Sequence, residues 1–278
     1  MQILARIFQI LGLNGVPALG WFGAGWSEGT VIVVYWVESV LMSLLISLRI
    51  LLHQRFTMKS GHFRPRNFRV GEIPQKGHSE PLRRSNFFHG YLGIALPFFL
   101  VQGLMLGVVL LLLAQRDDFA GLSVSLDQIS KGLAGVSVFL IFGFLLDLFS
   151  LKKRPFAWIR AMSDNSLGRV FIFQFTILAG LPLMAWFDQP RLLFSVFLVL
   201  KTMIDVGVYL PSCSPKEPPV WLCRLMDRIP DQSQTPSPGK FADYWKRDVE
   251  ELAVQEAMNE EVVSGLEACF LTDSDRKQ

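Results

Sequence analysis

At 278 residues, 51% hydrophobic, 12% aromatic and only 18% charged, with a mean hydropathy of +0.36, the chain is too apolar for an ordinary soluble domain, where charged residues alone reach about a quarter. Its formal net charge of +3 is small, and its lysines and arginines collect in a few segments, a pattern that sets nucleic-acid binding aside and bears on membrane topology instead. Cys213, Cys223 and Cys269 match neither a zinc pattern nor a disulfide framework and read as free thiols in a reducing compartment.

A helix needs about 20 apolar residues to cross a hydrocarbon core of about 30 Å. Six runs fit, near residues 4–22, 30–52, 88–114, 132–151, 168–187 and 191–210. They predict an all-α, polytopic integral membrane bundle of about six transmembrane helices over residues 1–211. The first run carries Gly12, Asn14, Gly15, Pro17 and Gly20, which would break or kink a soluble helix and survive in a bilayer only where neighbouring protein or water satisfies the backbone. A cleaved signal peptide is the rival reading of that run, but no small-x-small cleavage site precedes Trp21 and Trp26.

After the second run comes a basic loop, residues 53–87, with Arg55, Lys59, Arg64, Arg66, Arg69, Lys76, Arg83 and Arg84. The loop between the fourth and fifth runs carries Lys152, Lys153, Arg154 and Arg160, whereas the alternate loops are poor in positive charge. The positive-inside rule then places both basic loops and both termini in the cytoplasm. The loop from 53 to 87 offers a surface to anionic lipid head groups, although a poorly ordered topogenic loop is the better reading. Residues 212–239, through "PDQSQTPSPGK", read as a flexible linker. Residues 240–278 follow as an acidic amphipathic helical tail, with Leu252, Met258, Val262, Val263 and Leu266 among glutamates, suited to a cytoplasmic protein partner or to the chain's own basic loop rather than to anionic lipid.

Ionisable residues inside spans cost roughly 2.5–3.5 kcal/mol each on insertion scales, so they face the bundle interior and have partners. Lys201 and Asp205 of "LKTMID" share a face, four residues apart. Measured at about 1.5 Å per residue from the outer surface, Lys201 lies roughly 15 Å deep and Glu38 of "YWVES" roughly 12 Å, in one layer with Gln102 and Asn14. A second layer nearer the cytoplasm holds Asp205, Asp147 and Gln174, with Arg169 and His89 at the lipid boundary. The expected pairs are Lys201 with Glu38 and Asp205 with Arg169. Arg49 reads as a snorkelling residue at the end of the second span. His53, His62 and His78 fall in or beside the basic loop, His89 alone touches a span, and no pair of histidines within a span could grip a metal. No metal, phosphate-loop or nucleophile-elbow motif is present, so no cofactor is expected and no nucleophile and base are assembled.

The stretches "YWVES", "FFHGYLG" leading to "FFLVQG", "GRVFIFQFTILAG" and "LKTMID" together resemble an uncharacterised prokaryotic family of multi-spanning membrane proteins, a domain of unknown function with YW-x-E, G-R-V and K-T-x-x-D motifs. The resemblance runs from Gln2 to about Leu210 and implies a membrane protein without naming an activity. It implies that Glu38, Arg169, Lys201 and Asp205 match the family pattern, and that Gln102, Gln174 and Tyr209 stand where relatives carry histidines, so that any metal or proton relay there is incomplete in this chain. Movement of a small solute, ion or proton through a polar interior is the leading functional expectation. A non-catalytic scaffold recruiting a cytoplasmic partner through its tail comes second, and a lipid-active enzyme third.

Overall fold

The structure, a computed structural model, describes residues 2–63, 87–114, 124–187, 198–199, 201–203, 217–227 and 241–263. Five long helices come first: α1 (Gln2–Ala24), α2 (Glu28–Thr57), α3 (Phe87–Ala114), α4 (Leu126–Leu151) and α5 (Phe156–Phe187). Residues 198–199 and 201–203 are also helical. The short α6 (Val220–Met226) falls inside the segment read as linker, and α7 (Phe241–Glu260) forms the tail. No strand occurs among the described residues, where an isolated antiparallel bridge joins Lys59 to Val262.

Four of these helices are long and apolar enough to cross a bilayer, at Ala5–Ala24, Gly29–Thr57, Phe87–Val108 and Leu126–Leu151. The expected fifth span lies within the backbone of α5, and the sixth falls largely outside the described residues. Polarity is inverted relative to a soluble bundle. Leu96, Leu100, Leu104, Val108 and Leu111 form an exposed apolar stripe along α3, while Gln9, Asn14, Glu38, Arg49, His53, Gln102 and Asp147 are buried.

α2 occupies the centre and packs against α1, α3, α4 and α5. On one side Leu13, Val34, Val136 and Leu140 join α1, α2 and α4. On the other, Ile46, Ile50, Tyr91, Phe99, Ile159 and Val170 join α2, α3 and α5. At one end Gly25, with φ of +63°, turns the chain out of α1, and Ser27 caps α2 by accepting from the Thr30 amide at 3.2 Å. Thr30 Oγ1 in turn accepts from the Ser125 amide at 3.1 Å, tying this turn to the start of α4. At the opposite end Met58, with φ of 48°, stops α2 and directs the chain into a single 3-10 turn, Ser60–Phe63.

α1 remains helical through Pro17 and its glycines. The glycines matter because α1 and α4 run antiparallel in close contact. A Cβ at Gly12 would fall 2.2 Å from the Phe139 ring, and one at Gly135 would fall 2.9 Å from Val16. Gly15 has open space on its face. The expected outcome is therefore that Gly12→Ala lowers stability by about 1–3 kcal/mol through overpacking. Gly15→Ala, in contrast, is neutral or raises it by up to about 1 kcal/mol through helix propensity. Thermal unfolding of the two purified variants in the same detergent checks this, and equal effects would mean that the α1–α4 approach is not what these residues serve.

Candidate functional site

The first polar centre is built on Lys201. Its ammonium donates to Glu38 Oε1 at 3.2 Å and to Asn14 Oδ1 at 3.0 Å, and it sits 4.5 Å above the Tyr35 ring. Asn14 is oriented for this by its own helix, because its Nδ2 donates to the Ile10 carbonyl at 3.1 Å and leaves the amide oxygen to accept. The charged side chains are only 14% (Lys201) and 8% (Glu38) exposed. Depth arithmetic accounts for the meeting: Asn14 lies ten residues from the end of α1 and Glu38 ten residues from the start of α2, each about 15 Å from the turn that joins them. Gln102 on α3 is 1% exposed, and neither its amide nitrogen nor its amide oxygen has a hydrogen-bond partner among the described residues.

The second centre is built on Asp147. Asp147, 2% exposed, holds two arginines: Arg6 of α1 and Arg49 of α2, the latter at 3.0 Å. Arg6 also donates to Gln9 Oε1 at 3.0 Å, and the Arg49 guanidinium lies 5.2 Å from the Phe144 ring centroid. Arg49 is thus buried and ion-paired rather than snorkelling, because α2 continues to Thr57 and encloses it. Arg169 lies half-buried on α5, Gln174 lies on the α5 backbone, and Asp205 falls outside the described residues together with Tyr209. His89 is exposed on α3. Cys223 carries a free thiol. Along α2, Glu38 and Arg49 are eleven residues apart, so the two charged layers are separated by about 16 Å.

A third cluster closes the end of the bundle where α2 stops. His53 lies inside α2 and is fully buried, not in the loop beside it. Its Nε2 faces the Arg154 carbonyl at 3.0 Å, and its Nδ1 faces His62 Nε2 at 2.7 Å. A carbonyl only accepts, so a neutral His53 carries its proton on Nε2. His62 then donates from Nε2, and its own Nδ1 is left bare among Phe87 and Phe156. Burial, with His53 and Lys59 nearby, pushes His62 down from 6.5 to about 3. Lys59 donates to the Arg154 carbonyl at 3.1 Å and to Glu260 at the end of α7. Glu260 accepts in addition from the amides of Phe156 and, at 3.3 Å, Ala157. Burial alone would raise its carboxyl, but these donors outweigh it and hold the group below 4.5.

Helices with outward aliphatic faces and charges paired inside are the mark of a membrane protein. The chain belongs to the family of unknown function DUF6498, whose model matches residues 2–231. No curated protein and no solved structure matches it.

Two outcomes follow from the geometry. Replacing Asp147 by Asn strands two arginines, and the expected loss is about 3–5 kcal/mol, partly recovered by adding Arg49→Met. Thermal unfolding of the single and double variants checks it, and no recovery would mean that Arg49 is not stabilised by Asp147. The pH dependence has one sign for both groups at the corner. The unfolded chain binds a proton at His62 below about 6.5 and the folded chain does so only near 3, so stability rises with pH and is lost as pH falls through that window. Glu260 acts in the same direction, its contribution being present above 4.5 and lost as pH falls through its lower folded value. A single such group adds at most about 1.4 kcal/mol per pH unit. Melting curves between pH 7.5 and pH 4.5 are expected to fall less steeply for His62→Gln than for the parent, and identical slopes would refute the assignment.

Proposed function

We propose that this is a six-span protein of a prokaryotic cytoplasmic membrane, with both termini in the cytoplasm, that moves a small solute, ion or proton through a polar interior. The observation that carries the reading is the Lys201–Glu38–Asn14 centre, a charged pair held inside apolar helices, together with a further buried polar side chain on α3, Gln102, whose amide atoms have no partner among the described residues. Buried polar atoms without partners are rare in stable cores and mark places where a further polar species can bind. The Asp147 layer lies about 16 Å away along α2. Apolar residues of α1, α2 and α4, Leu13, Leu41, Leu45 and Leu140 among them, pack together over the stretch that separates the layers. Arg55, Lys59, Lys152, Lys153 and Arg154 gather at the end where α1 begins and α7 finishes, and this supports a cytoplasmic position for that end.

A scaffold role is the second reading, and it rests on α7, whose described residues include none that is buried. Its acidic surface suits a cytoplasmic protein partner, while the basic residues beside it suit anionic lipid head groups.

The test places cysteines one at a time by Glu38→Cys and Lys201→Cys, in a chain whose Cys213, Cys223 and Cys269 are replaced by Ser. A small charged thiol reagent is then applied to membranes. Labelling at both positions is expected of a path that polar species enter. Protection at both, with a disulfide forming when the two substitutions are combined, would describe a dry ionic bridge and give the scaffold reading precedence.

A further inference from the structure

α5 begins without a cap of its own. The sequence before it, Lys153–Arg154–Pro155, offers no Ser, Thr, Asp or Asn to receive its first amides, which are orphaned in any helix that lacks such a residue. The acceptor comes instead from Glu260, about a hundred residues further along the chain. The same carboxylate binds Lys59, which follows α2, so one side chain bridges the ends of two helices. Backbone contacts reinforce it. The Ser60 amide donates to the Glu261 carbonyl at 2.8 Å, the Val263 amide donates to the Met58 carbonyl at 2.9 Å, and the Ser60 hydroxyl reaches the Met258 carbonyl.

We infer that residues 258–263 form a detachable clasp, in which the Glu260 carboxylate is the tethered ligand of a corner made by Lys59 and the first amides of α5. The contacts that bind it to α2 and α5 are the polar ones of these six residues, and no described residue of α7 is buried; at its other end α7 is joined to the residues after α6 by the Phe241 amide, which donates to Asp227 Oδ1 at 3.0 Å. A carboxylate that accepts from an ammonium and two amides makes charge-assisted bonds, strong enough to hold a short segment and weak enough to release it. Beneath the clasp lie His53, His62 and Phe156, all buried, with Phe156 packed on Gly61. Closure therefore ties α2 to α5 at the end of the bundle, and release frees both helix ends together. The inference stands on these contacts and does not depend on what crosses the membrane.

The bridge geometry supplies the test. Ser60 and Glu261 are neighbours across the ladder, at a separation a disulfide spans. In a chain with Cys213, Cys223 and Cys269 replaced by Ser, the double substitution Ser60→Cys and Glu261→Cys reports closure by disulfide formation on mild oxidation in membranes. His62→Cys alone, at a side chain fully buried beneath the clasp, reports opening by its rate of reaction with a bulky maleimide. The expected results are ready disulfide formation, slow but complete maleimide labelling, and labelling roughly tenfold faster once Glu260→Gln is added, as the loss of charge-assisted bonds dictates. Lys59→Met, which leaves the α5 amides in place, is expected to accelerate labelling less than Glu260→Gln. Absence of the disulfide, or labelling that Glu260→Gln leaves unchanged, would overturn the clasp. Complete protection of the single cysteine in both backgrounds would overturn its detachability.

Discussion

A charge carried into an apolar bundle has no water to solvate it, and the rest of this structure is arranged around that constraint. α2 meets it twice, with Glu38 and Arg49, and adds a buried neutral polar group, His53; each is answered from a different part of the chain: Lys201 and Asn14, Asp147 and Arg6, His62 and the Arg154 carbonyl. Aliphatic contacts alone would permit α2 to slide or rotate by a turn at small cost, since Leu, Ile and Val pack nearly as well in adjacent registers. Charges do not permit it. An unpaired buried ion costs several kcal/mol and an unpaired buried polar group less, so two ion pairs and one buried histidine contact, at three heights, fix both the rotation and the depth of α2 against its neighbours.

Pairing explains register more readily than it explains why charges are present at all. Buried ion pairs add little net stability, and well-packed apolar residues often do as well in their place. The Asp147 layer is fully accounted for by its contacts, with both carboxylate oxygens engaged and Gln9 holding Arg6 in position. The side of the interior lined by α3 is less self-contained, because Gln102 carries buried amide atoms that no described side chain satisfies.

The sequence was legible where depth could be counted from a short turn. Glu38 and Asn14 flank the turn at Gly25 at equal distances, so an error in either helix end shifts both together and the layer survives. It was less legible where the end of a helix had to be guessed. Taking α2 to finish near residue 52 left Arg49 at a lipid boundary and His53 in a loop, whereas five further residues make both interior. Asp147 was placed by depth in a layer with Asp205 and Gln174; the structure shows its partners, Arg6 and Arg49, while Asp205 lies outside the described residues. The His53–His62 contact depends on the left-handed turn at Met58, a conformation that a methionine does not announce. Glu260 looked like one acidic residue of a solvated helix, and the available signal lay elsewhere, in a fifth helix with no residue to cap it.

The two ends of the bundle are closed by different chemistry. At one end Ser27, Thr30 and Ser125 cap α2 and α4 through neutral, short-range hydroxyl contacts, which change little with ionic strength or pH. At the other, α5 is capped by a carboxylate that arrives from the tail and is held by a lysine, beside two neutral histidines in an apolar shell. Charged contacts between distant segments are weakened by salt, by protonation and by any competing anion, whereas local hydroxyl caps are not. Adjustability is therefore confined to the end that carries the basic residues, and it acts on α2 and α5 together because a single carboxylate holds both.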